Sequence, residues 1–420
     1  MTDRRWIKRS SARITEHMIL LWFPDTLSGE IEAMITRVQV KNFRSFADVD
    51  ISLGPLNVLV GRNGVGKSAF LDILRFVRDA LRTGLETAMD ERHGIIALRR
   101  WAPTKPYNVE IALTVEKRRF WGEYSFSITS GPQGTYRRGR ESCRVGRLPN
   151  QVDDAFEIKG NKWIELPERL AQRPERLSRL GESDTLVLPT LSVLSPKFSK
   201  LRQNLTGSFY SIFPNTLRVP QKPSNERLLS DHGDNLASIV RRLQKNKYRF
   251  GKLIKALGRV VDGVTDLRVR QVGGYLVTEM KHEDLGPSAW FELNQESDGT
   301  LRLLGMLVAL YQLQPLSSLL ALEEPENALH PGALAVLSDV LYEASRQHQI
   351  ITTTQSPDLI SRFKVKELLV VERIDGVSEI GPIDEMQREA VEEKLFTSGD
   401  LLRIEGLRRQ ATLFEEGVRA

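Results

Sequence analysis

The chain has 420 residues, 40% hydrophobic and 27% charged, with 60 Lys/Arg against 54 Asp/Glu and a net charge of +6. That composition excludes a largely disordered chain and leaves room for two or three domain-sized units. No apolar run reaches the ~18 residues that a membrane-spanning helix needs, so no membrane partner is expected. The single cysteine, Cys143, rules out an intrachain disulfide and fits a reducing cytoplasm.

In chain order, residues 1–33 carry a basic stretch, Arg4 to Arg13, and a six-residue apolar run, Met18–Phe23. No small-x-small cleavage site follows, so they read as an N-terminal extension rather than an export signal. Alternation starts at Met34: residues 35–40, Val49–Leu53 and Leu56–Val60 read as strands. Gly61–Gly66 is a glycine-rich turn, and Ser68–Leu81 places Phe70, Leu71, Leu74, Val77 and Leu81 at helical spacing. Val109–Val115 and Trp121–Ile128 read as antiparallel strands, and residues 130–160, rich in Gly, Arg and Ser, as turns. Residues 151–265 are expected to form a compact, mainly helical insert, with periodicity over Glu168–Leu180 and Asn235–Val260. No sustained heptad supports a long coiled-coil arm. Strands return at Leu267–Val272 and Tyr275–Glu279. A helix at Leu301–Leu313, a strand at Ser318–Glu323, a helix at Gly332–Gln347 and strands at Ile350–Thr353 and Glu367–Glu372 follow. Such alternation predicts an α/β fold, a mixed sheet flanked by helices, in which 34–150 and 266–420 form one domain around the 151–265 insert.

Charge is segregated. Arg99–Arg147 holds 11 basic and 4 acidic residues, Arg241–Arg270 holds 10 and 2, and Glu323 to the end holds 11 and 19. The two cationic segments fit a polyanion-binding face. They equally fit solvated helix faces paired to the acidic C-terminal segment.

The sharpest motif is Gly61-Arg62-Asn63-Gly64-Val65-Gly66-Lys67-Ser68, a GxxxxGK[ST] pattern between a strand and a helix. Glycines let successive backbone N–H groups face a phosphate, and the helix N-terminus adds partial positive charge. Lys67 reaches the β- and γ-phosphates, and the Ser68 hydroxyl can ligate Mg²⁺, which points to ATP and Mg²⁺ as cofactors. Downstream, the apolar run Leu319–Leu322 delivers Glu323 and Glu324 to a strand end, one to hold the metal and one to act as general base toward water. Ser297-Asp298-Gly299-Thr300 precedes a helix as a second small-residue cradle, and Ile351–Pro357 (ITTTQSP) follows the carboxylate strand.

This order of motifs resembles the ABC-superfamily ATPases of the RecF/SMC/OLD-like branch, often labelled AAA family ATPases. ITRVQVKNFRSF, LNVLVGRNGVGKS, SDGTLRLLGMLVAL, LLALEEPENALHP and ITTTQSPDLISRF carry the resemblance, over residues 34–130 and 265–410. It implies that Gly61–Ser68 is the Walker A loop and that Ser297 and Gly299 form the signature contacting ATP held by a second copy. It also implies that Glu323 is the Walker B metal carboxylate, Glu324 the catalytic base and Asn327–His330 the D-loop, with Gln355 at the switch position, usually histidine. Glutamate in place of the commoner aspartate at 323 lengthens the reach to Mg²⁺. Gln355 can hydrogen-bond a γ-phosphate but carries no charge, so slow hydrolysis is expected.

The resemblance implies a homodimer that closes head to tail on ATP. Two readings of what it acts on stand open: DNA or RNA, in repair or phage defence, or a separate effector protein, toxin or nuclease, restrained or delivered by the ATPase. A transporter subunit is disfavoured, because the signature reads SDGT rather than LSGGQ. The roughly 48 residues after Glu372 are too few for the Toprim domain that OLD nucleases append. His282 and His330 show no metal-ligand spacing, and Trp101 and Trp121, set among arginines, are candidates for base stacking or simply for the core.

Overall fold

Sixteen strands organise the computed structural model, which describes residues 33–101, 108–117, 119–149, 151–167, 185–283, 289–312 and 319–411. The N-terminal extension and the helix expected over Glu168–Leu180 lie outside the described residues.

The strands are β1 (Met34–Phe43), β2 (Phe46–Ser52), β3 (Leu56–Val60), β4 (Val109–Lys117), β5 (Phe120–Ser130), β6 (Tyr136–Leu148), β7 (Gln151–Lys159), β8 (Lys162–Glu165), β9 (Ser208–Tyr210), β10 (Val264–Val272), β11 (Tyr275–His282), β12 (Ala289–Glu292), β13 (Leu319–Glu323), β14 (Gln349–Thr354), β15 (Leu368–Ile374) and β16 (Val377–Pro382). Thirteen of them form one mixed sheet in the order β8-β7-β6-β5-β4-β1-β2-β16-β15-β3-β14-β13-β9, and β10-β11-β12 form a second, antiparallel one. β15, β3, β14, β13 and β9 run parallel, while β8 through β2 are antiparallel throughout.

Buried on both faces, the parallel strands read as continuous apolar runs. Alternate residues divide between two cores. Leu59, Phe209, Leu319, Ala321 and Ile351 join the core that contains helix α1 (Lys67–Arg82) and α2 (Pro196–Leu205). Val58, Tyr210, Leu320, Leu322 and Ile350 join the one that contains α3 (Leu236–Leu243), α4 (Lys247–Gly258), α5 (Asp298–Tyr311) and α6 (Pro331–Ser345). Each face is thus covered by its own helices. This places the C-terminal ends of β3, β13 and β14 beside one another, the usual place for a ligand in such sheets.

Two expectations need correction. Residues 130–160 are mostly strand rather than turns, and the region from 151 is not mainly helical at its start: β6, β7 and β8 extend the antiparallel half of the sheet. The inward face of β6 explains the misreading, because it carries Arg138 and Glu141 as well as Cys143 and Val145, and so breaks the apolar alternation. Glu141 is fully buried. It accepts from the N–H groups of Val187 (2.7 Å) and Leu188 (2.9 Å) and from the Tyr124 hydroxyl (3.0 Å). Arg138 donates to the carbonyls of Thr185 and Gly160. A strand whose buried positions are satisfied by polar partners loses the alternation that betrays strands in sequence. The helices between 188 and 258, moreover, pack into both cores of the sheet rather than into a lobe of their own.

Candidate nucleotide site

The phosphate loop leaves β3 at Val60 and enters α1 at Lys67. Gly64 and Gly66 have φ of 78° and 121°, a region in which a side chain is strained. A Cβ at Gly61 would sit 2.3 Å from the carbonyl oxygen of Val371, and one at Gly66 would sit 2.6 Å from Ser378 Oγ. No side chain caps α1, so its first amides and its dipole are left for an anion. Arg62, Asn63, Gly64 and Ser68 are exposed, whereas Val65 packs against the α1-side core. Lys67 is buried, and its ammonium donates to the carbonyls of Gly61 (2.7 Å) and Arg62 (3.1 Å). Burial pulls its pKa below the usual lysine range, against the Glu324 and Glu326 carboxylates that raise it.

β13 pairs with β14 so that Glu323 lies opposite Thr353. Glu323 Oε1 accepts from Arg75 Nη2 of α1 at 2.5 Å, and the Arg75 guanidinium lies over the Phe209 ring of β9. Glu324 has φ 42°, in the left-handed region. Its N–H is held by the carbonyl (3.2 Å) and Oγ1 (3.0 Å) of Thr353, and its Oε2 accepts from Asn327 Nδ2 at 2.8 Å. Such a backbone persists only where its surroundings fix it, and it is a common feature of reactive sites. Glu326, to which the sequence reading gave no role, accepts from Thr354 Oγ1 (2.6 Å) and from the Gln355 N–H (3.0 Å), and so anchors Gln355. Its one sequence signal is a third carboxylate in Glu323-Glu324-Pro325-Glu326, which no spacing rule singles out.

The residues expected to form the signature sit elsewhere. Ser297 caps α5, its Oγ accepting from the Thr300 N–H at 3.1 Å. A Cβ at Gly299 would meet the Ala328 carbonyl oxygen at 2.4 Å, so Gly299 lies directly against the Asn327–His330 segment. Arg218 holds both Asp298 (2.5 Å) and the Glu296 carbonyl (3.1 Å), and His282 bonds Glu296 Oε1 at 2.8 Å. The structure therefore sorts the predicted residues into two groups. Lys67 shares the electrostatic field of Glu324 and Glu326, while Ser297 and Gly299 contact Thr300 and Ala328.

His330 caps α6 through Nδ1 and His282 serves Glu296, so both are structural, and no cluster of three metal-ligating side chains occurs among the described residues. Trp121 is buried at 9% exposure and is unavailable for stacking, whereas Trp101 is 78% exposed. Part of the cationic charge is paired within the fold: Arg140 with Glu157, Lys252 with Glu343 and Arg259 with Asp339. The last two acceptors belong to the acidic C-terminal segment. No described helix is long and apolar enough to cross a membrane.

Residues 34–97 match the family model for an AAA ATPase domain, and residues 153–361 match the model described as AAA domain, putative AbiEii toxin, Type IV TA system. The chain is 26% identical over 372 residues to the OLD nuclease of Thermus scotoductus, covering 82% of this chain and 63% of that one. It is 22% identical over 366 residues to endonuclease GajA of Bacillus cereus, covering 81% and 59%. It thus spans about three fifths of the length of these relatives. Its fold is similar to that of an SMC head bound to the C-winged helix domain of ScpA, with a TM-score of 0.51 at 16% identity over 85% of this chain and 99% of that one. By these matches the chain is a P-loop ATPase of the AAA type, similar in sequence to an OLD nuclease and in fold to an SMC head.

Proposed function

We propose that the protein is a cytosolic, ATP-switched homodimer that acts on nucleic acid. ATP would lie in the Gly61–Ser68 loop, with Lys67 turning from the loop carbonyls to the phosphates. The donor set fits Mg²⁺, which takes oxygen ligands: the exposed Ser68 hydroxyl and the Glu323 carboxylate would hold it. Bound there, the ion would neutralise phosphate charge. Glu324, braced by Thr353 and Asn327, would take the proton of an attacking water, and Gln355 would hydrogen-bond the terminal phosphate without adding charge, for which slow turnover is expected. Because Ser297 caps its own helix and Gly299 lies against Ala328 in its own chain, they are read as recognising the nucleotide of a second copy. ATP then favours the closed pair by contacts that hydrolysis removes.

One observation carries the nucleic-acid reading. Between Asp234 and Asp262 the chain has eight Lys/Arg and no Asp/Glu, and this stretch forms α3 and α4. Arg241, Lys245, Lys247 and Lys255 are exposed along it, beside Tyr248 at 71% exposure. α4 packs on α5, which begins at the signature, and pairs through Lys252 and Arg259 with α6, which follows the D-loop. A phosphate backbone on α4 would press on the helices that meet the second nucleotide. Both relatives named above are nucleases, which agrees with such a substrate.

The test uses Glu324→Gln with ATP. The expected result is a dimer at micromolar protein, with DNA affinity that falls steeply as salt rises. A monomer under those conditions overturns the switch. Salt-insensitive binding, or recovery of a small protein instead of nucleic acid on purification, overturns the nucleic-acid reading in favour of a separate effector.

A further inference from the structure

Both ends of the phosphate loop rest on one hairpin, β15–β16. Gly61 lies against the Val371 carbonyl and Gly66 against the Ser378 side chain, with no room for a Cβ at either place. Ser378 is fully buried, and its N–H donates to the Ser45 carbonyl at 2.9 Å. Its Oγ lies 2.5 Å from the Val65 carbonyl oxygen and 2.7 Å from Ser45 Oγ. A carbonyl oxygen can only accept, so the Ser378 proton goes to Val65 and the Ser45 hydroxyl donates to Ser378. The Val65–Gly66 peptide is trans, and in a planar trans unit the N–H points opposite to the C=O. Tying the Val65 carbonyl to the hairpin therefore aims the Gly66 amide away from it, toward the side where a phosphate cradled by the loop would lie. Glycine at φ 121° has many alternatives, and the loop's own sequence does not choose among them.

We propose that Ser378 is a positioning residue for the nucleotide: with Ser45 behind it, its hydroxyl holds the Val65–Gly66 peptide in the orientation that offers the Gly66 N–H to a phosphate. This role is independent of dimerisation and of nucleic acid, because it concerns the loop of a single chain. Ser378→Ala frees the peptide to rotate, and both ATP and ADP should bind about tenfold more weakly, the order expected for one well-aimed hydrogen bond. The loss should appear in KM, with kcat at saturating ATP within about twofold, because the contact is made equally in ground and transition states. A merely structural defect would instead lower kcat through a smaller active fraction. Ser378→Thr and Ser378→Val have nearly the same shape and differ in the hydroxyl; Thr should retain nucleotide affinity and Val should lose it. Unchanged ATP affinity in a folded Ser378→Ala protein, a loss confined to kcat, or equal behaviour of the Thr and Val variants would each overturn the assignment.

Discussion

The phosphate loop and the signature loop are both small-residue turns that open a helix, yet they end differently. At α1 no side chain caps the helix, Gly66 adopts φ 121°, and the first amides are left for an anion. At α5 the Ser297 hydroxyl already accepts the Thr300 N–H, and Arg218 already pairs with Asp298. The first, in the function proposed above, receives a phosphate of its own chain's ligand. The second is a finished cap, with Ala328 and the His282–Glu296 pair beside it, and in the function proposed above it meets the nucleotide of a second copy. Two turns of similar composition thus take different roles according to whether their hydrogen bonds are closed internally.

The largest way to break this contrast is at Lys67. Lys67→Ala removes the buried ammonium and should weaken ATP binding by about a hundredfold or more, as calorimetry would read, since charge-assisted bonds to phosphate are worth about 1.5–3 kcal/mol each. Retained tight binding would refute the loop's role. Next in size is Gly299→Ala. Its Cβ would press on the Ala328 carbonyl, an overpacking that costs about 1–3 kcal/mol, so the melting temperature should drop. Single-chain ATP affinity should survive while ATP-dependent dimerisation is lost, measured by light scattering. Loss of both would mean that the two loops are not separate devices.

A smaller effect is expected from Ser297→Ala, which opens the cap and should cost about 1 kcal/mol in chemical denaturation. If the cap is only a cap, dimerisation will follow stability; if Ser297 also meets nucleotide, dimerisation will fall further.

The smallest effect sharpens the picture of the sheet behind the signature. Burial pushes the Glu279 carboxyl up, but hydrogen bonds from Arg270 and Arg268 outweigh it and hold the carboxyl below the usual range. A depressed pKa contributes stability that is complete above the unfolded value of about 4.3 and disappears as pH falls through the folded value. Thermal melts of wild type and Glu279→Gln should therefore differ at pH 6 and converge as pH falls below about 4. A gap that persists at acid pH would show that the carboxylate's charge is not what stabilises β10–β12.

Wherever the relevant neighbours lay close in sequence, the chain by itself determined the outcome. The glycine loop before Lys67, the apolar strand ending at Glu323 and the helix after Ser297 each carry a local pattern that backbone physics makes readable. Tertiary structure alone decided what supports them. Ser378 is 313 residues from the peptide it holds, Arg75 lies 248 residues from the carboxylate it pairs with, and Glu326 meets Gln355 across 29. None of these partnerships leaves a period or a spacing in the sequence. The same holds for β6, whose buried Arg138 and Glu141 are stabilised by carbonyls and amides from elsewhere in the chain and so disguise a strand as a polar turn. Hydrogen bonding within a few residues imprints the sequence, whereas hydrogen bonding across the fold is settled only when the sheet brings its distant strands together.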